Sequence, residues 1–173
     1  MTDCLQASDD GRGLMVAPSL RGAARLWYNA PAMDNREEAN GLLKEAKEDL
    51  DRAARYSGAM DWVTVVHYAQ LAVEKSAKAV ISCFEAFAWT HDPSEQLGKL
   101  VRGGFLPAEF LEIASYAEDA APWHALSTYG GIKNGRWRSP SEVCTADVAT
   151  NLLDKASKAV HVASRFIERS AAK

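Results

Sequence analysis

A stretch late in the chain carries the residue types best suited to chemistry on a phosphate. Histidine transfers protons near neutral pH, and cationic side chains stabilise the negative charge that develops on a reacting phosphate. Within residues 120–143, one histidine precedes a tyrosine and several basic residues. The candidate catalytic residues are therefore His124, Tyr129, Arg136 and Arg138.

The same stretch contains KNGRWRS, residues 133–139, in which basic residues surround a tryptophan. Cations pair with phosphates and an aromatic ring stacks on a base, so this composition is typical of nucleotide or RNA binding. The alternative is an exposed loop whose tryptophan packs on the rest of the domain. The sequence contains neither a Walker-type phosphate loop nor a Rossmann fingerprint.

A polar stripe runs through the most apolar part of the chain. Gln70, Glu74 and Lys78 are four residues apart in YAQLAVEKSAKAV, so on a helix they share one face. One interpretation is a solvated face whose Glu74–Lys78 pair contributes about 0.2–0.5 kcal/mol. The other is a polar network in the groove of a dimer, where buried charges need complete pairing. The candidate ligand-binding residues are Gln70, Glu74, Lys78, Tyr129, Lys133, Arg136 and Arg138.

The remaining histidines give weaker indications of a site. His67 lies on the polar stripe and is most simply a structural residue, and His91 is most simply a packing or turn residue. Metal sites draw on ligands at recognisable spacings, whereas these histidines are scattered along the chain. The sequence therefore predicts no metal site and no cofactor.

Helical periodicity dominates the elements that would position these residues. Apolar side chains recur every three or four residues and predict helices over 35–56, 61–88 and 145–170. A short helix capped by Asp92, Pro93 and Glu95 is expected to reach Val101, and another to begin at Leu106-Pro107. Residues 120–143 show no period, and no strand alternation is present. The predicted class is all-α: an antiparallel four- or five-helix bundle with two long helices.

Composition limits the kind of protein this is. Residues 1–33 mix Gly, Pro, Ser and Asp and predict a poorly ordered extension, whereas 34–171 predict one helical domain. The net charge of -3 gives no general attraction to nucleic acid. Three cysteines without CxxC spacing favour a reducing compartment. No apolar run is long enough for a membrane span, so we expect a cytoplasmic protein without membrane partners.

The order of these pieces resembles the HEPN family over about residues 36–167. The resemblance rests on Ala69-Gln70, Val73-Glu74-Lys75 and Lys78-Ala79, followed by THDPSEQLGKLV and by SPSEVCTADVATNLLDKASKAV. It implies a small helical bundle that forms homodimers. Many members of this family are ribonucleases, often toxins paired with a nucleotidyltransferase-like antitoxin, and others bind nucleotides or act as scaffolds.

One departure from the family pattern bears on catalysis. The family's nuclease motif is an arginine followed four to six residues later by a histidine, and no arginine here has that spacing. Thr128-Tyr129 stands where related members place Arg-Tyr. We therefore expect a non-catalytic domain that binds a nucleotide or RNA in a groove of a homodimer. The alternatives are a metal-independent ribonuclease toxin with a variant site, and a scaffold that binds a nucleotidyltransferase-like partner.

Overall fold

The computed structural model describes residues 35–171. The predicted extension, residues 1–33, lies outside them. The elements in chain order are α1 (Asn35–Gly58), α2 (Trp62–Ser82), α3 (Ser94–Arg102), α4 (Phe110–Ala120), α5 (Pro122–Tyr129), β1 (Gly131–Lys133), β2 (Arg136–Arg138), α6 (Pro140–Val143) and α7 (Ala146–Ala171). The all-α class is confirmed. Three of these helices, rather than two, exceed twenty residues.

Helix α2 is the centre of the bundle. It packs most extensively against α1 and α7, and α4 and α5 cover more of its surface. Its alanines at positions 69, 72, 77 and 79 are fully buried and allow the neighbouring helices to approach closely. Asp61 caps its first turn by accepting a hydrogen bond from the Thr64 backbone N–H at 3.2 Å. No helix within residues 35–171 is both long and apolar enough to cross a membrane.

The end of α2 was predicted wrongly, because the helix stops at Ser82 and not near Ala88. The side chain of Gln96 binds the segment that follows. Its amide nitrogen donates to the Ala86 carbonyl at 2.9 Å, and its amide oxygen accepts from the Ala88 N–H at 2.9 Å. These bonds satisfy backbone groups that a longer helix would have paired internally. The helix can therefore end at Ser82 although the apolar sequence pattern continues to about Ala88.

The expectation of an irregular stretch over 120–143 was also wrong. Helix α5 is followed by a β-hairpin in which Ile132 pairs with Trp137 and Lys133 with Arg136. Asn134 and Gly135 form its turn with φ of 53° and 71°, as a two-residue type I′ turn requires. The dipeptide Asn-Gly is the sequence signal for this turn, and the absence of long strand alternation concealed it.

The capping box was predicted at the wrong helix. Helix α3 begins at Ser94, whose backbone N–H donates a hydrogen bond to the Asp92 carboxylate at 3.0 Å. Asp92 and Glu95 do not form a capping box. A complete capping box instead begins α6, where Ser139 and Glu142 exchange hydrogen bonds. This box fixes the chain directly after the hairpin.

Candidate functional site

The polar stripe of α2 lies inside the protein and is not a solvated face. Gln70 is fully buried, and Glu74 and Lys78 are less than a tenth exposed. The Glu74 carboxylate accepts from Gln70 Nε2 on one oxygen and from Lys78 Nζ on the other, each at 2.8 Å. Burial of two opposite charges is tolerated here because both are paired and hydrogen-bonded.

Two histidines distant in sequence, His91 and His124, approach this stripe, and His67 already lies on it. His91 Nδ1 lies 3.2 Å from Glu74 Oε2. The His91 ring stacks on the His124 ring with a centroid distance of 3.5 Å and an interplanar angle of 14°. His67 Nδ1 lies 3.3 Å from Ser127 Oγ, and its ring is 6.4 Å from that of His124. Glu74 and these three histidines are called the histidine cluster below.

The early end of α2 explains why His91 belongs to the histidine cluster. Because the helix stops at Ser82, the chain turns back and returns His91 to the level of Glu74. Helix α5 brings His124 from the other side. No sequence pattern links these positions, so the interpretation of His91 as a packing or turn residue did not include its contacts with Glu74 and His124.

Electrostatics give the members of the histidine cluster different charges. Burial is the largest single influence on Glu74 and would raise its pKa, but the hydrogen bonds from Lys78, Gln70 and His91 and the charge of Lys78 together lower it. Burial and the neighbouring His91 lower the pKa of His124 below the usual value for histidine. At neutral pH the histidine cluster therefore combines a carboxylate with a neutral imidazole.

Two polar atoms beside the histidine cluster have no hydrogen-bond partner. They are Gln70 Oε1 and His124 Nδ1, both shielded from solvent. Buried polar atoms are nearly always hydrogen-bonded, so such exceptions call for a physical explanation. One ligand atom from each of Glu74, His91 and His124 lies within 4.8 Å of the others. The histidines are scattered in the sequence, as the prediction of no metal site assumed, but His91 and His124 are close together in the structure.

The hairpin forms a second polar surface. The side chains of Lys133 and Arg136 are exposed and have no hydrogen-bond or ion-pair partner within residues 35–171. Arg138 instead pairs with Glu142 at 2.8 Å. Trp137 is 64% exposed and so does not pack on the bundle, as one interpretation of the sequence had it. A shallow cleft of about 320 Å³ is lined by Lys133, Asn134, Arg138 and Glu142.

Helix α5 leads from the histidine cluster to the hairpin. His124 near its start joins the histidine cluster, whereas Tyr129 at its end is 73% exposed. In the described part of the chain, no hydrogen bond, ion pair or ring contact joins His124 to Tyr129, Arg136 or Arg138. The predicted catalytic set is thus divided, and so is the predicted ligand-binding set. Gln70, Glu74 and Lys78 are buried in the bundle. Tyr129, Lys133, Arg136 and Arg138 lie at or beside the hairpin.

Comparison with known proteins gives one match. The family model of the HEPN domain matches residues 39–171. Comparisons with curated proteins and with solved structures gave no significant match. The matched range contains α2, the histidine cluster and the hairpin.

Proposed function

We propose that this chain, which belongs to the HEPN domain family, binds single-stranded RNA or a nucleotide at its hairpin without cutting it. The observation that carries the proposal is that Lys133 and Arg136 are unpaired beside the exposed ring of Trp137. Unpaired cations bind phosphates without first breaking an ion pair, and an exposed indole offers a stacking surface for any base.

The register of the hairpin supports this use. Lys133 and Arg136 face each other across the strands and form one cationic face. Ile132 and Trp137 form the opposite, apolar face, and both are exposed. An RNA strand that wraps around the two-stranded hairpin would place phosphates at the cations on one face and stack a base on Trp137 on the other. Tyr129, which immediately precedes the hairpin, offers a second exposed ring.

The charge of the chain makes this binding local. The net charge is -3, so the rest of the surface does not attract a polyanion, and affinity depends on a few cations. Two phosphate contacts on a single strand predict a slope of about -1.4 for the logarithm of affinity against that of salt concentration. A much steeper slope would indicate that other cations carry the binding.

The test is fluorescence anisotropy of a labelled oligouridine, with ATP as the mononucleotide probe. We expect Lys133→Ala/Arg136→Ala to weaken binding and flatten the salt slope. Trp137→Ala should cost about 1–3 kcal/mol of binding free energy, the usual value of one stacked base. Arg55→Ala/Arg165→Ala is the matched control, since it removes two exposed cations that lie on α1 and α7, outside the hairpin. Equal affinity for the hairpin variants and the control would contradict the proposal.

The second candidate function is a metal-independent ribonuclease. The observation that favours it is the stacked His91–His124 pair, with Lys78 bonded to the same carboxylate as His91. Two imidazoles and a nearby cation are groups that general acid–base catalysis uses. An RNA cleavage assay distinguishes the two candidate functions. It compares the purified wild type with His124→Ala and with Arg136→Ala/Arg138→Ala. Cleavage that is lost only in His124→Ala would favour the ribonuclease, and no cleavage by the folded wild type would favour binding.

A further inference from the structure

We propose that Glu74, His91 and His124 together bind a divalent transition-metal ion of the Zn²⁺, Co²⁺ or Ni²⁺ class. Two imidazoles and one carboxylate are a donor set that suits these ions, because imidazole nitrogen is a preferred ligand for them. Three protein ligands leave a further position for water or for an oxygen of a phosphate. This inference is independent of RNA binding at the hairpin, since it uses none of the hairpin residues.

The distances require a small movement before all three ligands reach one ion. Their ligand atoms lie within 4.8 Å of one another. Around a tetrahedral ion with bonds of about 2.0–2.1 Å, ligand atoms are about 3.3 Å apart. The parallel stack must also open, because an ion in the plane of one imidazole lies off the plane of the other.

His91 is the ligand that can make this movement. Its side chain is 56% exposed, and it lies in the connection between α2 and α3 rather than on a helix. Glu74 and His124 are held on α2 and α5. A rotation of the His91 ring therefore brings the third ligand to Glu74 and His124, which the helices already hold in place. Metal binding then needs little reorganisation of the protein.

The unpartnered atom of the histidine cluster is the second observation that points to a ligand. His124 Nδ1 is shielded from solvent and has no hydrogen-bond partner. A bound cation would satisfy that nitrogen and would replace the hydrogen bond between His91 and Glu74 Oε2. Gln70 and Lys78 would then orient the carboxylate from outside the ligand set, as partners of metal ligands commonly do.

Lys78 opposes the metal and so limits its affinity. Its ammonium lies 2.8 Å from Glu74 Oε1, and two cations on one carboxylate repel each other. The carboxylate can accommodate both because they occupy different oxygens, Oε1 for the ammonium and Oε2 for the ion. We therefore expect specific but moderate affinity rather than a permanently occupied structural site.

The experiment is titration of the full chain with Co²⁺ after dialysis against a chelator, followed by visible absorption and calorimetry. We expect one ion per chain and d–d bands typical of nitrogen and oxygen ligands. His91→Ala, at an exposed side chain, should weaken binding by about tenfold or more, as loss of a ligand does. His124→Ala should do the same. Circular dichroism checks that both variants are folded.

His161→Ala is the matched control, because it removes an exposed histidine on α7 that lies outside the histidine cluster. Wild-type affinity in this variant, with loss in His91→Ala, would support the site. Equal affinity in all variants, or no binding by the wild type, would overturn it. A thiolate-to-cobalt charge-transfer band would also overturn it, because it would place the ion on a cysteine.

Discussion

At the scale of single residues, Asp49 shows how one buried carboxylate joins two helices. Its side chain is 1% exposed, and it pairs with Arg52 on its own helix and with Lys75 on α2 at 2.7 Å. Burial is the largest single influence on Lys75 and lowers its pKa, but the hydrogen bonds and negative charges of Asp49 and Glu45 together outweigh burial and raise it. Asp49 is therefore a structural residue whose charge both partners require.

We predict that Asp49→Asn lowers the free energy of unfolding by about 2–3 kcal/mol. The loss is below that of a fully buried pair because Arg52 and Lys75 keep partial contact with water. Urea unfolding at neutral pH measures it. Asp154→Asn removes a carboxylate from an exposed pair with Lys158 and should change stability by less than about 1 kcal/mol. Similar losses in the two variants would contradict the prediction.

Residue types alone identified only part of the candidate site. The four-residue spacing of Gln70, Glu74 and Lys78 correctly placed them on one helical face, because helix geometry is local. Their partners were not predictable. His91 and His124 reach Glu74 through a turn and a separate helix, and a single sequence carries no sign of such contacts.

At the scale of elements, Gly130 fixes the entry of the chain into the hairpin. Its φ is 75° and its ψ -163°, a region that side chains avoid, and a Cβ there would lie 2.1 Å from the Arg138 carbonyl oxygen. We predict that Gly130→Ala lowers the free energy of unfolding by at least about 1–3 kcal/mol and weakens RNA binding.

Gly41→Ala is the control for that substitution. Gly41 lies on the exposed side of α1, and nothing lies within 4 Å of the added carbon. Alanine is the better helix former by about 0.5–1 kcal/mol, so this variant should be more stable than the wild type. Thermal unfolding of both variants distinguishes strain at Gly130 from a general effect of replacing glycine. A stable Gly130→Ala protein with normal binding would be the contrary result.

The cap of α6 predicts a pH dependence at the base of the hairpin. The Glu142 carboxylate accepts hydrogen bonds from the Ser139 backbone, from Arg138 and from the Ser139 hydroxyl, which together lower its pKa to about 2. A lowered pKa in the folded state means that the cap contributes stability above the unfolded value near 4.5. That contribution is lost as pH falls through about 2.

The carboxyl titration of Glu142 by NMR measures this dependence. We expect a midpoint near 2 in the wild type and a higher one in Arg138→Ala, since that variant removes one of the three donors. Glu168→Gln leaves the cap intact and should not move the midpoint. A wild-type midpoint near 4.5 would show that the cap does not form in solution.

The elements divided into those with a local sequence signal and those without one. Long amphipathic helices were predicted to within a few residues at most ends, because their period is repeated many times. The end of α2 was missed because tertiary bonds from Gln96 decide it. The hairpin was missed because its three-residue strands are too short to show alternation, although Asn134-Gly135 marks the turn.

At the scale of the whole molecule, the homodimer stays a prediction that the burial of α2 does not support. A long apolar helix is one sign of a dimer interface, but α2 is buried within a single chain. The resemblance to HEPN proteins still favours a dimer, and Trp89 and Phe105 remain 95% and 65% exposed. Binding to a nucleotidyltransferase-like partner likewise stays a prediction.

We predict that the purified chain has about twice its 18.8 kDa monomer mass in multi-angle light scattering at micromolar concentration. Exposed aromatic side chains of this size are typical of surfaces that another molecule covers. Trp89→Ser/Phe105→Ser should lower the measured mass toward that of the monomer if these two rings lie in the interface. A mass of 18.8 kDa for the wild type would refute the dimer.

The position of α2 between α1 and α7 also orders events during synthesis on the ribosome. The α1–α2 pair consists of neighbours in sequence and can form as soon as both helices emerge. Helix α7 is made more than sixty residues after α2 ends, and until then the face of α2 that it covers is bare. The nascent chain thus passes through a stage in which the central helix of the bundle lacks one of its main packing partners. Such exposed apolar surface favours misassembly and chaperone binding.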